Sequence, residues 1–153
     1  MIKSAYELCR KEYPILPDFD RMDKEFELSL IESDKFVLRA IKRKIAEKFE
    51  IVLHVFEHVL SPDTSSFTEI HECKALTNGE KKQVIEVIRK LMEHYRLLLE
   101  SDLLSEDKAD AEAIYKTFKV WLDQKNQVIP LIKKIREFWQ KNVETREFLE
   151  YLG

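Results

Sequence analysis

Three of the four histidines and one of the two cysteines fall between Glu50 and Leu76. They run His54-x3-His58 and then His71-x-Cys73, and imidazole with thiolate is a ligand set that zinc accepts in tetrahedral sites. A four-residue spacing places two helical side chains on one face, so His54 and His58 could share one ion. Two features weigh against that chemistry. The order H-x3-H, loop, H-x-C is not the spacing of a structural zinc module. On the helix that carries them, His54 and His58 point nearly opposite to the apolar stripe, beside Glu47, Glu50 and Glu57. The first reading is therefore a polar helix face running into a loop, with no metal and no cofactor. A metal-binding module built on His54, His58, His71 and Cys73 is kept as an alternative.

Other catalytic chemistries find less footing. A carboxylate-bridged di-iron centre needs Glu-x-x-His pairs facing inward from two helices. Here Glu57-His58 and Glu93-His94 are adjacent in sequence instead. Arg89-x4-His94 resembles the R-x4–6-H pattern of HEPN ribonucleases, which implies a helical RNA-cleaving protein using Arg89 and His94. That family usually follows its arginine with a polar residue such as asparagine, where this chain has Lys90. Five residues also separate the two by about 140° around a helix. With only two glycines, no phosphate-cradling glycine loop can be built. No Ser/His/Asp or Cys/His arrangement stands out. The basic clusters Lys42-Arg43-Lys44 and Lys133-Lys134 with Arg136 have acidic neighbours and read as solvated helix faces, so nucleic acid enters only indirectly.

The elements that would position these residues are all helical. Ile2 to Tyr13 reads as a short helix with Ile2, Tyr6 and Cys9 along one side, stopped by Pro14 and Pro17. A second short helix, capped by Asp20 or a neighbour, carries Phe26 and Ile31. From about Ser33 to Leu60, the residues Leu38, Ile41, Ile45, Phe49, Val52, Phe56 and Val59 fall in a band about 80° wide, the strongest periodic signal in the chain. "SPDTSSF" ends that helix, and a loop is expected to about Leu76. Thr77 with Glu80 three residues later is a capping-box start. The helix it opens carries Val84, Ile88, Leu91, Met92, Tyr95 and Leu99 on one face. After "ESDLLSEDKAD" another helix has Ala111, Ile114, Phe118, Trp121 and Leu122 inward, and Pro130 kinks it or starts a new one. Leu131, Ile135, Phe138 and Trp139 continue the stripe, and a last short helical turn, capped by Thr145, closes the chain.

The expected fold is therefore all-α: a bundle of four main amphipathic helices plus short N- and C-terminal helices. At 153 residues it reads as a single domain, 1–153, with a subdivision available between a core of 1–104 and a C-terminal segment 105–153 kinked at Pro130. Charged residues make up 36% of the chain and the net charge is −3, so no global field marks a polyanion binder. Two cysteines are too few for a disulfide framework and point to a reducing compartment. The N-terminus lacks a signal-peptide run, and no segment approaches the roughly 20 apolar residues of a membrane span. A cytoplasmic protein with no membrane partner is expected.

What exceeds the needs of a bundle is apolar surplus. Ile51 and Leu53 lie outside the stripe of the long helix, Leu97 lies opposite the face of Ile88 and Tyr95, and "LLLESDLL" adds leucines near a helix end. Apolar surface beyond a monomer's core marks an interface. Ile51, Leu53 and Leu97 are the candidate contact residues of a non-enzymatic protein that self-associates or binds a protein partner.

The order of features over residues 1–104 also resembles the helical domain of archaeal-type GINS replication-complex subunits. The segment Leu16-Pro17-Asp18-Phe19, the basic-Ile element Arg43-Lys44-Ile45 and the helix start Leu76-Thr77-Asn78-Gly79-Glu80 carry the likeness. It implies a non-catalytic scaffold in a tetrameric or ring-like assembly, with replication proteins as partners. The family adds a small strand-containing domain, whereas residues 105–153 here read as helical.

Overall fold

The computed structural model describes residues 1–141. Its regular elements are α1 (Ile2–Glu12), α2 (Phe19–Phe26), a single 3-10 turn (Leu28–Leu30), α3 (Val37–Leu60), α4 (Phe67–Glu72), α5 (Asn78–Leu104) and α6 (Asp107–Phe138). No strand occurs among the described residues, and the all-α bundle is the fold that forms. The long helices α3, α5 and α6 pack against one another, and α1 lies against α3 with α2 closing the same end. No described helix is long and apolar enough to cross a membrane. The final helical turn expected around Thr145 lies outside the described residues.

The stripe of α3 forms the centre. Leu38, Ile41, Ile45, Phe49, Val52, Phe56 and Val59 are all buried, together with Leu91 of α5 and Ile114, Phe118 and Trp121 of α6. Trp121 stacks on Phe49 at 5.8 Å between ring centroids and meets Phe26 of α2 at 6.1 Å. Its indole N–H donates to Glu25 (2.8 Å), which also accepts from Lys125 Nζ (2.7 Å). Burial pushes the Glu25 carboxyl up, but the bonds from Lys125 and Trp121 outweigh it and leave the group below its ordinary value. A charge-assisted clasp thus fixes α2 to α6.

Local chemistry sets the ends. Asp18, rather than Asp20, caps α2 by accepting from the Arg21 N–H (3.1 Å). Glu27 in left-handed geometry ends that helix short of Ile31. The capping box forms as expected: Thr77 Oγ1 accepts from the Glu80 N–H (3.2 Å) and the Thr77 N–H donates to Glu80 Oε1 (2.9 Å). Glu80 also takes Lys134 of α6, so the same carboxylate caps one helix and ties it to another.

Four expectations change. The stretch before Leu76 contains α4, capped by Ser66 on the Glu69 N–H (3.3 Å) and held because Phe67 and His71, one helical turn apart, stack in the core margin. α5 runs through "ESDLL" to Leu104 and stops at Ser105 in left-handed geometry (φ 53°). Its buried face is Val84, Val87, Leu91, Leu98 and Ser101, so Leu99 turns outward. α6 continues across Pro130 as one 32-residue helix, so of the kink or new start expected there, no new helix starts. Pro130 and Asn126 are both exposed, so the carbonyl that loses its N–H partner can be met by water.

Candidate functional site

His54 and His58 share a face as expected, with ring centroids 4.0 Å apart, and His58 Nδ1 lies 3.5 Å from Glu69 Oε1. His54 is exposed. His71 sits elsewhere, buried among Phe67, Phe138 (4.6 Å) and Trp139 (4.4 Å), and Cys73 Sγ donates to the Ile70 carbonyl (2.9 Å). Among the described residues no three histidine, cysteine or acidic side chains converge to hold a metal ion, so the four are not one site. Arg89 is exposed and held by Glu86 (3.1 Å), while His94 Nδ1 meets the Lys90 carbonyl of its own helix (2.8 Å). Each is committed to a partner on its own turn of α5.

Of the candidate contact residues, Ile51 is on the surface, 64% exposed. Leu53 is not: it is buried in the core, and Leu97 is half-buried against it. The correction has a physical reason. α5 packs on the flank of α3 that carries Lys42, Ala46, Glu50 and Leu53, where Tyr95 Oη donates to Glu50 (2.6 Å). That widens the buried arc beyond the main stripe.

The same packing buries Lys42, which the basic run had placed in solvent. It is 2% exposed, and its ammonium donates to Ser101 Oγ (2.9 Å), to Asp110 Oδ1 (2.7 Å) and to Asp102. All three donors of one lysine on α3 are thereby used by α5 and α6, pinning the three long helices at one end. Arg43 beside it remains exposed.

Next to this pin, α1, the start of α3 and the start of α6 enclose an open groove of about 520 Å³. Its apolar lining includes Leu8 and Cys9 of α1 with Phe36, Val37 and Leu38. Leu8 is 66% exposed and Phe36 74% exposed. Phe36 precedes α3 with φ 52°, left-handed geometry that a bulky side chain rarely adopts, and the Arg39 guanidinium lies 5.2 Å over its ring. The rim carries three exposed carboxylates, Glu12, Asp34 and Asp107, against the single Arg39. Their field is felt inside. The Cys9 thiol is raised by burial, with Asp107 and Glu12 adding to it, and the Tyr13 hydroxyl is raised by burial and by Glu12. The groove therefore disfavours anions and suits an apolar group flanked by cations.

Compared with known proteins, the chain matches no family model, no curated protein and no solved structure. The groove escaped the sequence reading because it joins three segments distant in sequence: Leu8 lies 28 residues before Phe36, and Phe36 lies 71 before Asp107. Leu8 had a signal, since it lies off the Ile2, Tyr6 and Cys9 side of its helix. Phe36 had none, because nothing in sequence predicts its left-handed backbone.

Proposed function

We propose that this protein works through contacts with other proteins, as a non-enzymatic helical interaction module, and that the groove between α1, α3 and α6 is where it does so. The observation that carries the reading is Phe36, a large aromatic ring held in solvent by a strained backbone at the mouth of an apolar groove. Left-handed geometry at a non-glycine residue costs about 1–2 kcal/mol. Such strain concentrates at ligand clamps and functional sites. Leu8 across the groove supplies the second exposed apolar group.

A scaffold subunit in a replication-type assembly is one form of this reading. Its support is the sequence likeness carried by Leu16–Phe19, Arg43–Ile45 and Leu76–Glu80. Each of these also has a folding role: Leu16 and Phe19 are buried, Ile45 is in the core, and Thr77 with Glu80 forms the capping box. Cys9 and Cys73 are both free thiols, and we assign the protein to the reducing cytoplasm on that cysteine usage.

The test uses tagged wild-type protein beside Phe36→Gly and Leu8→Asp, each recovered from the native host at matched levels. Glycine accepts left-handed geometry without strain, so F36G removes the ring while leaving the fold intact. Partners, or further copies of the chain, held by the wild type should be lost from both variants. If both variants retain everything the wild type holds, the groove is not the interface.

A further inference from the structure

The groove needs an occupant that is apolar and positively charged, and the chain itself displays one. On the C-terminal half of α6, Ile129, Ile132, Lys133 and Arg136 line a shallow apolar surface. Their spacing is i, i+3, i+4, i+7, the register with which one helix lays a ridge into another protein's groove. Ile129 is 54% exposed and Lys133 and Arg136 are exposed beside it. Two branched apolar anchors thus run beside two cations, where the groove offers Leu8 and Phe36 beside Glu12, Asp34 and Asp107.

The two surfaces cannot meet within one molecule. Asp107 and Asp110 of the groove lie in the first turn of α6, and Ile132 is some 22 residues further along the same unbroken helix. At 1.5 Å per residue the separation is about 33 Å. A ridge at one end and a complementary groove at the other make a heterologous, head-to-tail pair, which closes into a ring or propagates.

We infer that the Ile129–Arg136 ridge of one copy seats in the Leu8–Phe36 groove of the next, so that this chain assembles head to tail with itself. This rests on the groove being an interface, as proposed above, and adds the identity of what fills it.

Sedimentation velocity decides it, using wild type, Phe36→Gly (groove removed) and Ile132→Asp (ridge removed). The wild type should sediment above the 18.3 kDa monomer, increasingly so at higher concentration, and more weakly at high salt. Each variant alone should sediment as monomer. Mixed, they should form a species of twice 18.3 kDa and nothing larger, because the intact ridge of F36G fits the intact groove of I132D. Leu8→Asp replaces F36G if that variant loses helical circular dichroism, and Lys133→Glu/Arg136→Glu replaces I132D on the same ground. A wild type that stays monomeric at all concentrations overturns the inference. So does a mixture that never pairs, since that marks a symmetric contact or another surface. Should the monomeric wild type still hold a host partner that F36G loses, the groove remains an interface and only the self-assembly falls.

Discussion

Replacing Lys42 with methionine should destabilise the fold by about 3 kcal/mol, and removing its buried partner as well should restore most of that loss. The magnitude follows from what is left behind. Lys42 Nζ satisfies Asp110, whose side chain is 11% exposed, and Asp102, whose side chain is 44% exposed. When the cation goes, Asp102 can rehydrate, and its half of the network is worth roughly 1 kcal/mol or less. Asp110 cannot, and an uncompensated buried charge costs about 3–5 kcal/mol, here taken at the lower end because one carboxylate is enough to orphan. Ser101 keeps its own bond to the Leu98 carbonyl (2.9 Å), so no further unpaired group is created. Lys42→Met/Asp110→Leu removes both charges and should fall within about 1 kcal/mol of wild type. Urea unfolding of the wild type, the two single variants and the double variant, with the slope unchanged, gives the coupling directly. A loss below about 1 kcal/mol in K42M would refute the network as a buried pin. A double variant no better than the single would refute the attribution to Asp110.

Burial holds the His71 imidazole below its ordinary pKa of 6.5, with Lys74 acting in the same direction and Glu72 opposing. The unfolded chain then takes up the proton more readily, so stability present above pH 6.5 is lost as pH falls toward the lowered native value and levels off below it. Both ring nitrogens are buried with no hydrogen-bond partner among the described residues, so His71→Phe should flatten that dependence and raise the melting temperature at about pH 5.5. Equal pH slopes in wild type and variant, followed by thermal melts, would contradict this. Thr77→Ala opens the capping box and should cost about 1 kcal/mol, a fall of about 2–4 °C in melting temperature for a domain of this size. Ser105→Gly relieves left-handed geometry and should gain up to about 1 kcal/mol, less what the Ser105 bond to the Asp102 carbonyl contributes; a loss in chemical denaturation would show that bond to dominate.

The parts of the fold that were legible in sequence are those governed by local rules. The α3 stripe obeys a single period because one face of that helix meets the core, and all seven of its residues are buried. The start of α5 is legible because the capping box is a four-residue device. Lys42 and Leu53 were misplaced because their burial depends on α5 covering a second flank of α3, a tertiary fact with no local trace. α4 is six residues long, too short for a period to register, and the tertiary contacts of Phe67 and His71 with Phe138 and Trp139 of the α6 end hold it after a serine-rich stretch. Pro130 reads as a kink or a new start because proline removes a helical hydrogen bond; its exposure makes that loss tolerable within one continuous helix. The ridge on α6 could have been found by the off-stripe test that selected Ile51, since Ile129 and Ile132 flank the buried Val128, Leu131 and Ile135. The groove could not, because its walls are brought together only by the packing of α1 and α6 around the start of α3.

The central claim, that contacts are made through the groove, is tested most directly by hydroxyl-radical footprinting of the assembled protein against its 18.3 kDa monomer. Phe36 and Leu8 report on the groove, and Ile51 is a comparably exposed control outside it. Oxidation of Phe36 and Leu8 should fall strongly on assembly while that of Ile51 stays unchanged. Protection of Ile51 with Phe36 and Leu8 still fully reactive would place the interface elsewhere and contradict the account.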